Sequence, residues 1–175
     1  MAVVRWRRHR RAAHEGFCPR NIASHQYLQG KSSALLASRI FDDPDNWMRH
    51  IESSVASITL GSVYGKRIVD ANAGIIQKRM QGIADSIQYA ARPGNYLVDI
   101  LPWMFHLPSW MAQWKRDGQQ WFERNTVFLN DLVREVEQNM RAGSCDPCFA
   151  ATLLENDMRS DMSIEEISWL AGIML

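Results

Sequence analysis

The stretch GNYLVDILPWMFHLPSWMAQWKR, residues 94–116, contains two prolines among apolar and aromatic residues. A proline inside a helix removes a backbone hydrogen bond and clashes with the preceding turn, so we predict an apolar loop with one short turn over residues 95–110. Apolar residues at helical spacing flank this loop on both sides. Before it lie Ile76, Met80, Ile83 and Ile87, with Pro93-Gly94 as a stop signal; after it we predict a helix over residues 112–141 with Phe128, Leu132, Val136 and Met140 facing inward.

The amino-terminal third of the chain also shows helical periodicity. A basic first helix contains Trp6 and Arg10 and is predicted to end near Gly16. A second helix is predicted to open at Ser24, and a third to begin at Asp43-Pro44, an N-cap followed by proline at the first helical position. The inward face predicted for the third helix is Trp47, Ile51, Val55 and Ile58, and its predicted end is Gly65.

The carboxyl-terminal part predicts two more helices. A short helix is predicted over Phe149–Glu155. Ser163 and Glu166 have the spacing of a capping box, in which the two residues satisfy each other's backbone amides, and this pair is predicted to open the last helix. Strand signals are almost absent from the whole chain. We therefore predict an all-α fold, in a single domain over residues 1–175.

Composition and charge exclude some classes of protein. Hydrophobic residues make up 46% of the chain and charged residues 22%, which is typical of a globular protein. The net charge of +1 offers no strong attraction to nucleic acid, and no apolar run approaches the roughly 20 residues of a membrane span. The charge is uneven, however, because residues 1–20 contain six arginines and one acid, Glu15. The first helix is therefore predicted to carry a local basic patch.

The cysteines do not form a recognisable site. Cys145 and Cys148 have C-x-x-C spacing, but their neighbours predict a loop rather than the junction of a strand and a helix that a redox motif occupies. A zinc site that adds His14 and Cys18 can be drawn, yet the chain offers no second closely spaced ligand pair, so two loop thiols are the favoured interpretation. Among the remaining candidates, His25, His50 and His106 are interpreted as surface or packing residues, and Asp99 as a helix cap or local hydrogen-bond acceptor.

Four segments, in chain order, resemble the central part of cytochrome P-450s, which are haem-thiolate monooxygenases. They are Trp6–Arg11, similar to the C helix with its Trp-x-x-x-Arg pattern; Trp47–Ile51 with Val63-Tyr64-Gly65, similar to the E helix of fungal members; residues 94–102, 107–110 and 115–116, similar to the F–G region; and Glu165–Met174, similar to the start of the I helix. The F–G stretch is the most specific and resembles a fungal branch related to O-methylsterigmatocystin oxidoreductases, which suggests fungal secondary metabolism.

The resemblance implies a haem (heme) site on the first helix. In the family the Trp and Arg of the C-helix pattern bind a haem propionate, which places that role on Trp6 and Arg10. The residue types suit it, because an indole N–H and a guanidinium are both donors and a spacing of four places them on one helical face. The alternative from the residues alone is a solvated arginine-rich helix with Trp6 as a core anchor.

The resemblance also implies a substrate and partners. The apolar loop resembles the region that roofs the substrate cavity, so candidate cavity residues for a hydrophobic substrate are Leu97, Val98, Phe105 and Leu107. In microsomal members this region also contacts the membrane, here through residues 97–110. The basic side of the first helix would face the electron donor, NADPH-cytochrome P-450 reductase. The whole enzyme would then lie on the cytosolic face of the endoplasmic reticulum membrane, and no nucleic-acid partner is expected.

The family's remaining signatures lie outside this sequence. The I-helix Asp and Thr would follow Leu175, and no cysteine here has the pattern of the haem-ligand loop. The resemblance therefore implies a partial cytochrome P-450 fold, from the C to the I helix, without the haem-ligand loop and the N-terminal sheet. We expect an internal piece of a monooxygenase, inactive by itself, with no metal-ligating residue. The alternative is a non-catalytic helical interaction protein that kept the scaffold.

Overall fold

The computed structural model describes residues 2–16, 19–65, 73–155 and 162–174, and within them the side chains of residues 2–4, 15, 19–25, 73, 97 and 102 lie outside the description. Every regular element in these ranges is helical, and none of the described residues forms a strand. The predicted all-α fold is confirmed. The chain divides into two compact units, residues 1–73 with 129–175 and residues 74–128. The predicted single domain stays a prediction.

The first unit is built from five helices and the end of a sixth. They are α1 (Ala2–Gly16), α2 (Pro19–Asp42), α3 (Trp47–Tyr64), residues 129–141 of α6 (Gln113–Arg141), α7 (Phe149–Glu155) and α8 (Ile164–Ile173). A 3-10 turn, Pro44–Asn46, joins α2 to α3, and these two helices pack along each other. The short helix α7 contacts α1, α3 and α8. It therefore lies at the centre of this unit.

The core of the first unit is formed around α7. All but two residues of α7 are buried, and Phe149 is 1% exposed. Burial of one such apolar side chain stabilises a fold by about 1.5–3 kcal/mol. The other buried apolar side chains here include Ala12, Leu60, Val63, Leu129, Leu132, Val133, Val136, Ile167, Leu170 and Ala171. Along α6 the buried residues Leu129, Leu132, Val133 and Val136 recur every three or four positions, with polar residues between them. This spacing is typical of a helix that packs one face on a core.

The second unit contains α4 (Ala73–Ala91, from residue 74), α5 (Leu97–Ile100), a 3-10 turn at Pro102–His106, and residues 113–128 of α6. Few of its side chains are buried, and these include Ile76, Ala112 and Asn125. Its predicted apolar loop is present, with two short turns instead of the one expected. Large apolar side chains of this loop are exposed, namely Tyr96, Ile100, Leu101, Trp103, Phe105 and Trp110.

Several predicted helix boundaries are confirmed. Helix α3 ends at Gly65, whose φ of +65° is left-handed and whose N–H donates to the carbonyl of Gly61 at 2.9 Å. The helix over Phe149–Glu155 is present as predicted. The capping box is also present, because the Ser163 hydroxyl accepts from the Glu166 amide and the Glu166 carboxylate accepts from the Ser163 amide.

Other details of the prediction are wrong. Helix α2 begins at Pro19 rather than at Ser24, because proline is well suited to the first helical turn. Asp43 lies at the N-cap of the 3-10 turn with Pro44 after it, as predicted, but α3 itself begins at Trp47. The Asp43 carboxylate makes no capping bond and instead accepts hydrogen bonds from the side-chain amide of Asn46 at 3.1 and 3.0 Å. The inward face predicted for α3 is wrong at two of its four positions, because Trp47 is 48% and Val55 57% exposed, whereas Ile51 and Ile58 are half-buried. Helix α3 instead buries its carboxyl-terminal end, where Leu60, Val63 and Tyr64 lie near α7.

Candidate functional site

Two arginines of α1 bind one carboxylate of α8. The Nε of Arg5 donates to Glu166 at 2.6 Å, and one Nη of Arg8 lies 2.8 Å from each oxygen of the same carboxylate. The Glu166 side chain is only 12% exposed. The ring of His9 approaches it at 3.8 Å. Because Glu166 is also the third residue of α8 in the capping box, these ion pairs join α1 to the first turn of that helix.

The electrostatics of this cluster keep Glu166 charged. Burial acts to raise the pKa of Glu166, but hydrogen bonds from Arg5 and the Ser163 amide and the positive charges of Arg8 and Arg5 outweigh it and lower the pKa below its usual value. The carboxylate is therefore ionised at neutral pH. Arg5 and Arg8 consequently share this carboxylate in an internal ion pair.

Trp6 and Arg10 lie together on a different face of α1. The guanidinium carbon of Arg10 lies 5.3 Å from the centroid of the Trp6 ring, in the range of a cation–π contact. Trp6 is 57% exposed, so it is not a core anchor. Within the described part of the chain, neither side chain has a carboxylate partner. An indole N–H and a guanidinium on one exposed face can donate to a single bound carboxylate.

The loop in the second unit is held by two cations. The ammonium group of Lys115 donates to the carbonyls of Phe105 and Leu107 at 2.7 and 2.8 Å. It also lies 5.3 Å from the centroid of the Phe105 ring. The guanidinium of Arg116 donates to the carbonyls of Ser109 and Trp110 at 2.7 and 2.6 Å. The pair Lys115-Arg116 was part of the resemblance, but its hydrogen bonds to the loop carbonyls were not predicted from the sequence.

The predicted cavity residues are distributed over this loop. Val98 and Leu107 are half-buried, whereas Phe105 is 65% exposed. The side chain of Leu97 lies outside the described residues. Phe105 and Leu107 are brought together by the shared Lys115 contact. Asp99 is confirmed as a local acceptor, because its carboxylate accepts the N–H of Gly94 at 3.3 Å.

Comparison with known proteins found relatives that cover almost the whole chain. No family model and no solved structure matches the chain. A cytochrome P-450 monooxygenase of Armillaria gallica is 34% identical over 169 residues, which cover 97% of this chain and 33% of that protein. Cytochrome P-450 monooxygenase 58 of Postia placenta is 34% identical over 171 residues, again 97% of this chain and 32% of the relative. The chain belongs to the cytochrome P-450 superfamily.

More distant fungal relatives include the tryptamine 4-monooxygenase of Psilocybe cyanescens, which is 28% identical over 86% of the chain. This cytochrome P-450 chain spans about a third of the length of the curated relatives it matches. Similarity over almost the whole chain confirms the family resemblance that the four ordered segments predicted.

The two loop thiols of this cytochrome P-450 chain differ in exposure. Cys145 is partly exposed and Cys148 is buried just before α7. Burial raises the pKa of Cys145, and it raises the pKa of Cys148 to about 12, although backbone hydrogen bonds near Ala151 oppose the shift. Cys18 and the side chain of His25 lie outside the described residues.

The part of the chain that the structure describes shows neither a metal-binding cluster nor a membrane-spanning helix. The described residues contain no cluster of three or more His, Cys, Asp or Glu side chains placed to hold a metal ion. None of the described helices is long and apolar enough to cross a membrane. The Nε2 of His50 lies 3.4 Å from the Asp43 carboxylate, while the His106 ring packs edge-on against Phe105. These positions agree with the interpretation of both histidines as surface or packing residues.

Proposed function

We propose that this chain is part of a haem-dependent monooxygenase that oxidises a hydrophobic organic substrate with O2 and electrons derived from NADPH. The observation that carries this proposal is the Trp6–Arg10 pair on a chain related to cytochrome P-450 monooxygenases. Neighbouring Arg5 and Arg8 are both paired with Glu166, whereas Trp6 and Arg10 have no carboxylate partner among the described residues. The missing partner would be a haem propionate.

The residues on α1 fit the propionate edge of a haem. Arg10 would donate to the propionate through its guanidinium, which is always charged, while Trp6 would donate through its indole N–H. The ring of Trp6 supports the guanidinium at 5.3 Å and limits the rotamers that Arg10 can adopt. The haem, when bound, supplies the oxygen activation and the redox chemistry. The contribution of this chain is to bind and orient its carboxylates.

The sequence around the cysteines does not match the axial position of the haem. None of the three cysteines has the family's haem-loop pattern. We therefore place the thiolate ligand in the remainder of the enzyme. We expect the 175-residue chain alone to show no monooxygenase turnover.

The loop over residues 97–110 is proposed to roof the substrate cavity. Its half-buried Val98 and Leu107 would contact the substrate, together with Leu97, and its exposed Phe105 and Trp110 suit an apolar surface such as the membrane interface. Exposed Arg7 and Arg11 on α1 would meet the acidic surface of NADPH-cytochrome P-450 reductase. The proposed location of the whole enzyme is the cytosolic face of the endoplasmic reticulum membrane, which rests on the family resemblance.

Titration of the chain with ferric haem tests the propionate site. The Soret absorbance would be followed for haem and for haem dimethyl ester, in which both propionates are esterified. Loss of a charge-assisted hydrogen bond weakens binding by about tenfold. We expect haem to bind more tightly than its ester, and Arg10→Gln and Trp6→Phe each to remove most of that difference.

The matched control is Arg11→Gln, which removes the same charge from the same helix one residue away. Equal binding of haem and its dimethyl ester, or equal weakening by Arg11→Gln and Arg10→Gln, would contradict the proposed site. A second readout concerns the axial ligand. Reduction under carbon monoxide should give no thiolate-type Soret band, and a strong band of that type would overturn the assignment of the thiolate to the rest of the enzyme.

A further inference from the structure

A groove lies between α4 and the first part of α6, within the second unit. Its volume is about 380 Å³, and its walls are formed by one face of each helix. Two arginines line it, Arg79 from α4 and Arg124 from α6. No residue of the 97–110 loop and no residue of α1 belongs to the lining. The groove is therefore distinct from the residues proposed to bind haem and substrate.

Arg79 is held in place by the opposite helix. Its guanidinium carbon lies 4.5 Å from the centroid of the Phe128 ring, and one Nη donates to the carbonyl of Arg124 at 3.3 Å. These contacts fix the position of the guanidinium while leaving most of its five N–H groups for other acceptors. An oriented cation loses less conformational entropy on binding an anion than a free one.

Neither groove arginine has an internal counter-ion. Among the described residues, no carboxylate lies within ion-pair distance of Arg79 or Arg124. Side chains one helical turn away can neutralise a charge on a helix, but here all of them are uncharged. They are Ile75, Ile76, Gly82 and Ile83 around Arg79, and Gln120, Trp121, Val127 and Phe128 around Arg124. The two positive charges are therefore available to an external anion.

The remaining walls of the groove are largely apolar or aromatic. Ile83 and the indole of Trp121 give it an apolar surface. The Ser86 hydroxyl donates to the carbonyl of Gly82 at 2.7 Å, and the Asn125 amide donates to the carbonyl of Trp121 at 2.8 Å, so these two donors are already used within their own helices. The arginines are thus the main polar groups that a ligand would meet.

We propose that this groove binds a small amphiphilic carboxylate, an aromatic or aliphatic molecule that carries one acid group. Arg79 and Arg124 would hold the carboxylate, since a guanidinium matches its geometry with two parallel hydrogen bonds. Ile83 and Trp121 would contact the apolar part of the molecule. The groove volume of about 380 Å³ falls within the range of roughly 300–1,000 Å³ that is typical of small-molecule sites. A macromolecular partner would need a larger surface.

Isothermal titration calorimetry with two matched probes tests the proposal directly. Naphthalene-1-acetate carries an aromatic ring and one carboxylate, and naphthalene-1-acetamide is its neutral counterpart. We expect the acid to bind about tenfold more tightly than the amide, because only the acid forms charge-assisted hydrogen bonds with the arginines. Added salt should reduce this difference. Equal affinities of the wild-type chain for both probes, or no binding of the acid, would overturn the proposal.

Variants then locate the site. Arg79→Gln and Arg124→Gln should each weaken binding of the acid by about tenfold and leave the amide almost unchanged. The matched controls are Lys78→Gln on α4 and Arg134→Gln on α6, which remove the same charge outside the groove lining. Far-UV circular dichroism verifies that each variant is folded. If the control variants weaken binding as much as the groove variants, the acid binds elsewhere and the proposal is wrong. No step uses haem, so the result is independent of the monooxygenase proposal.

Discussion

One Nη of Arg8 lies 2.8 Å from both carboxylate oxygens of Glu166, across a separation of 158 residues. The Arg5 guanidinium reaches the same carboxylate at 2.6 Å. Glu166 thus has two functions, since it completes the capping box of α8 and it pairs with two arginines of the basic helix α1. This distribution of charge distinguishes the arginines that stabilise the fold from Arg10, which remains available to a ligand.

Substitution Glu166→Gln should lower the free energy of unfolding by about 1–2 kcal/mol. The value is modest because Arg5 is 66% exposed and solvent weakens its ion pair, although the Glu166 side chain itself is nearly buried. Urea unfolding followed by circular dichroism measures the change. The matched control is Glu165→Gln, an exposed acid in the same first turn. A loss of equal size in both variants would mean that the helix dipole, and not the arginine pair, accounts for the effect.

The stability that Glu166 provides should depend on acid pH. Its folded-state pKa is lowered by the Arg5 and Ser163 hydrogen bonds and the arginine charges despite the opposing effect of burial, so the native state favours the ionised form. This contribution is fully present above the ordinary value near 4.5 and is lost as the pH falls through the lower folded pKa. Thermal melts between neutral pH and pH 3 should show wild type and Glu166→Gln converging below about pH 4.5. A constant difference over that range would exclude this linkage.

Substitution Gly65→Ala should destabilise the first unit by about 1–2 kcal/mol. The left-handed φ of +65° is unfavourable for alanine, and a β-carbon there would lie 3.2 Å from the carbonyl oxygen of Asp146. Gly30→Ala is the comparison, since Gly30 lies inside α2 with open space around it and alanine should raise stability by about 0.5–1 kcal/mol. Chemical unfolding of both variants tests the expected opposite signs.

Local signals in the sequence were sufficient for most of the helices. Gly65 and the pair Ser163 and Glu166 fixed helix ends because their effects involve residues only a few positions apart. The N-cap position of Asp43 was predicted correctly, but its hydrogen bond was not, because the side-chain amide of Asn46 donates to the carboxylate in place of a backbone amide. The inward face of α3 depended on where α7 lies, which periodicity within a single helix does not report.

The sequence predicted only part of the candidate site. The spacing of Trp6 and Arg10 placed them on one face, and the observed 5.3 Å contact agrees with it. The pairing of Glu166 with Arg5 and Arg8 could not be foreseen, because it requires the approach of α8 to α1. The groove arginines were missed for the same reason, since Arg79 and Arg124 are 45 residues apart and meet only when α4 and α6 pack.

Removal of the Phe149 ring should cost about 3–5 kcal/mol of unfolding free energy. Phe149 is 1% exposed, and its ring lies so close to Gly16 of α1 that a β-carbon at Gly16 would overlap it. Phe149→Ala therefore leaves a cavity between α1 and α7. Phe41→Ala, at a side chain 88% exposed, should change stability by less than about 0.5 kcal/mol. Similar losses in the two variants, measured by urea unfolding, would contradict the assignment of Phe149 to the core.

Cys148 should resist alkylation in the folded protein, whereas Cys145 should react slowly. Burial raises the pKa of Cys148 to about 12, so at pH 8 only roughly one molecule in ten thousand carries the reactive thiolate. Cys145 has a raised pKa as well but is partly exposed. Iodoacetamide labelling with peptide mass spectrometry, in native buffer and in urea, compares the two sites. Labelling of Cys148 at the same rate in both conditions would show that it is accessible as a thiolate in the folded protein, and would contradict its burial.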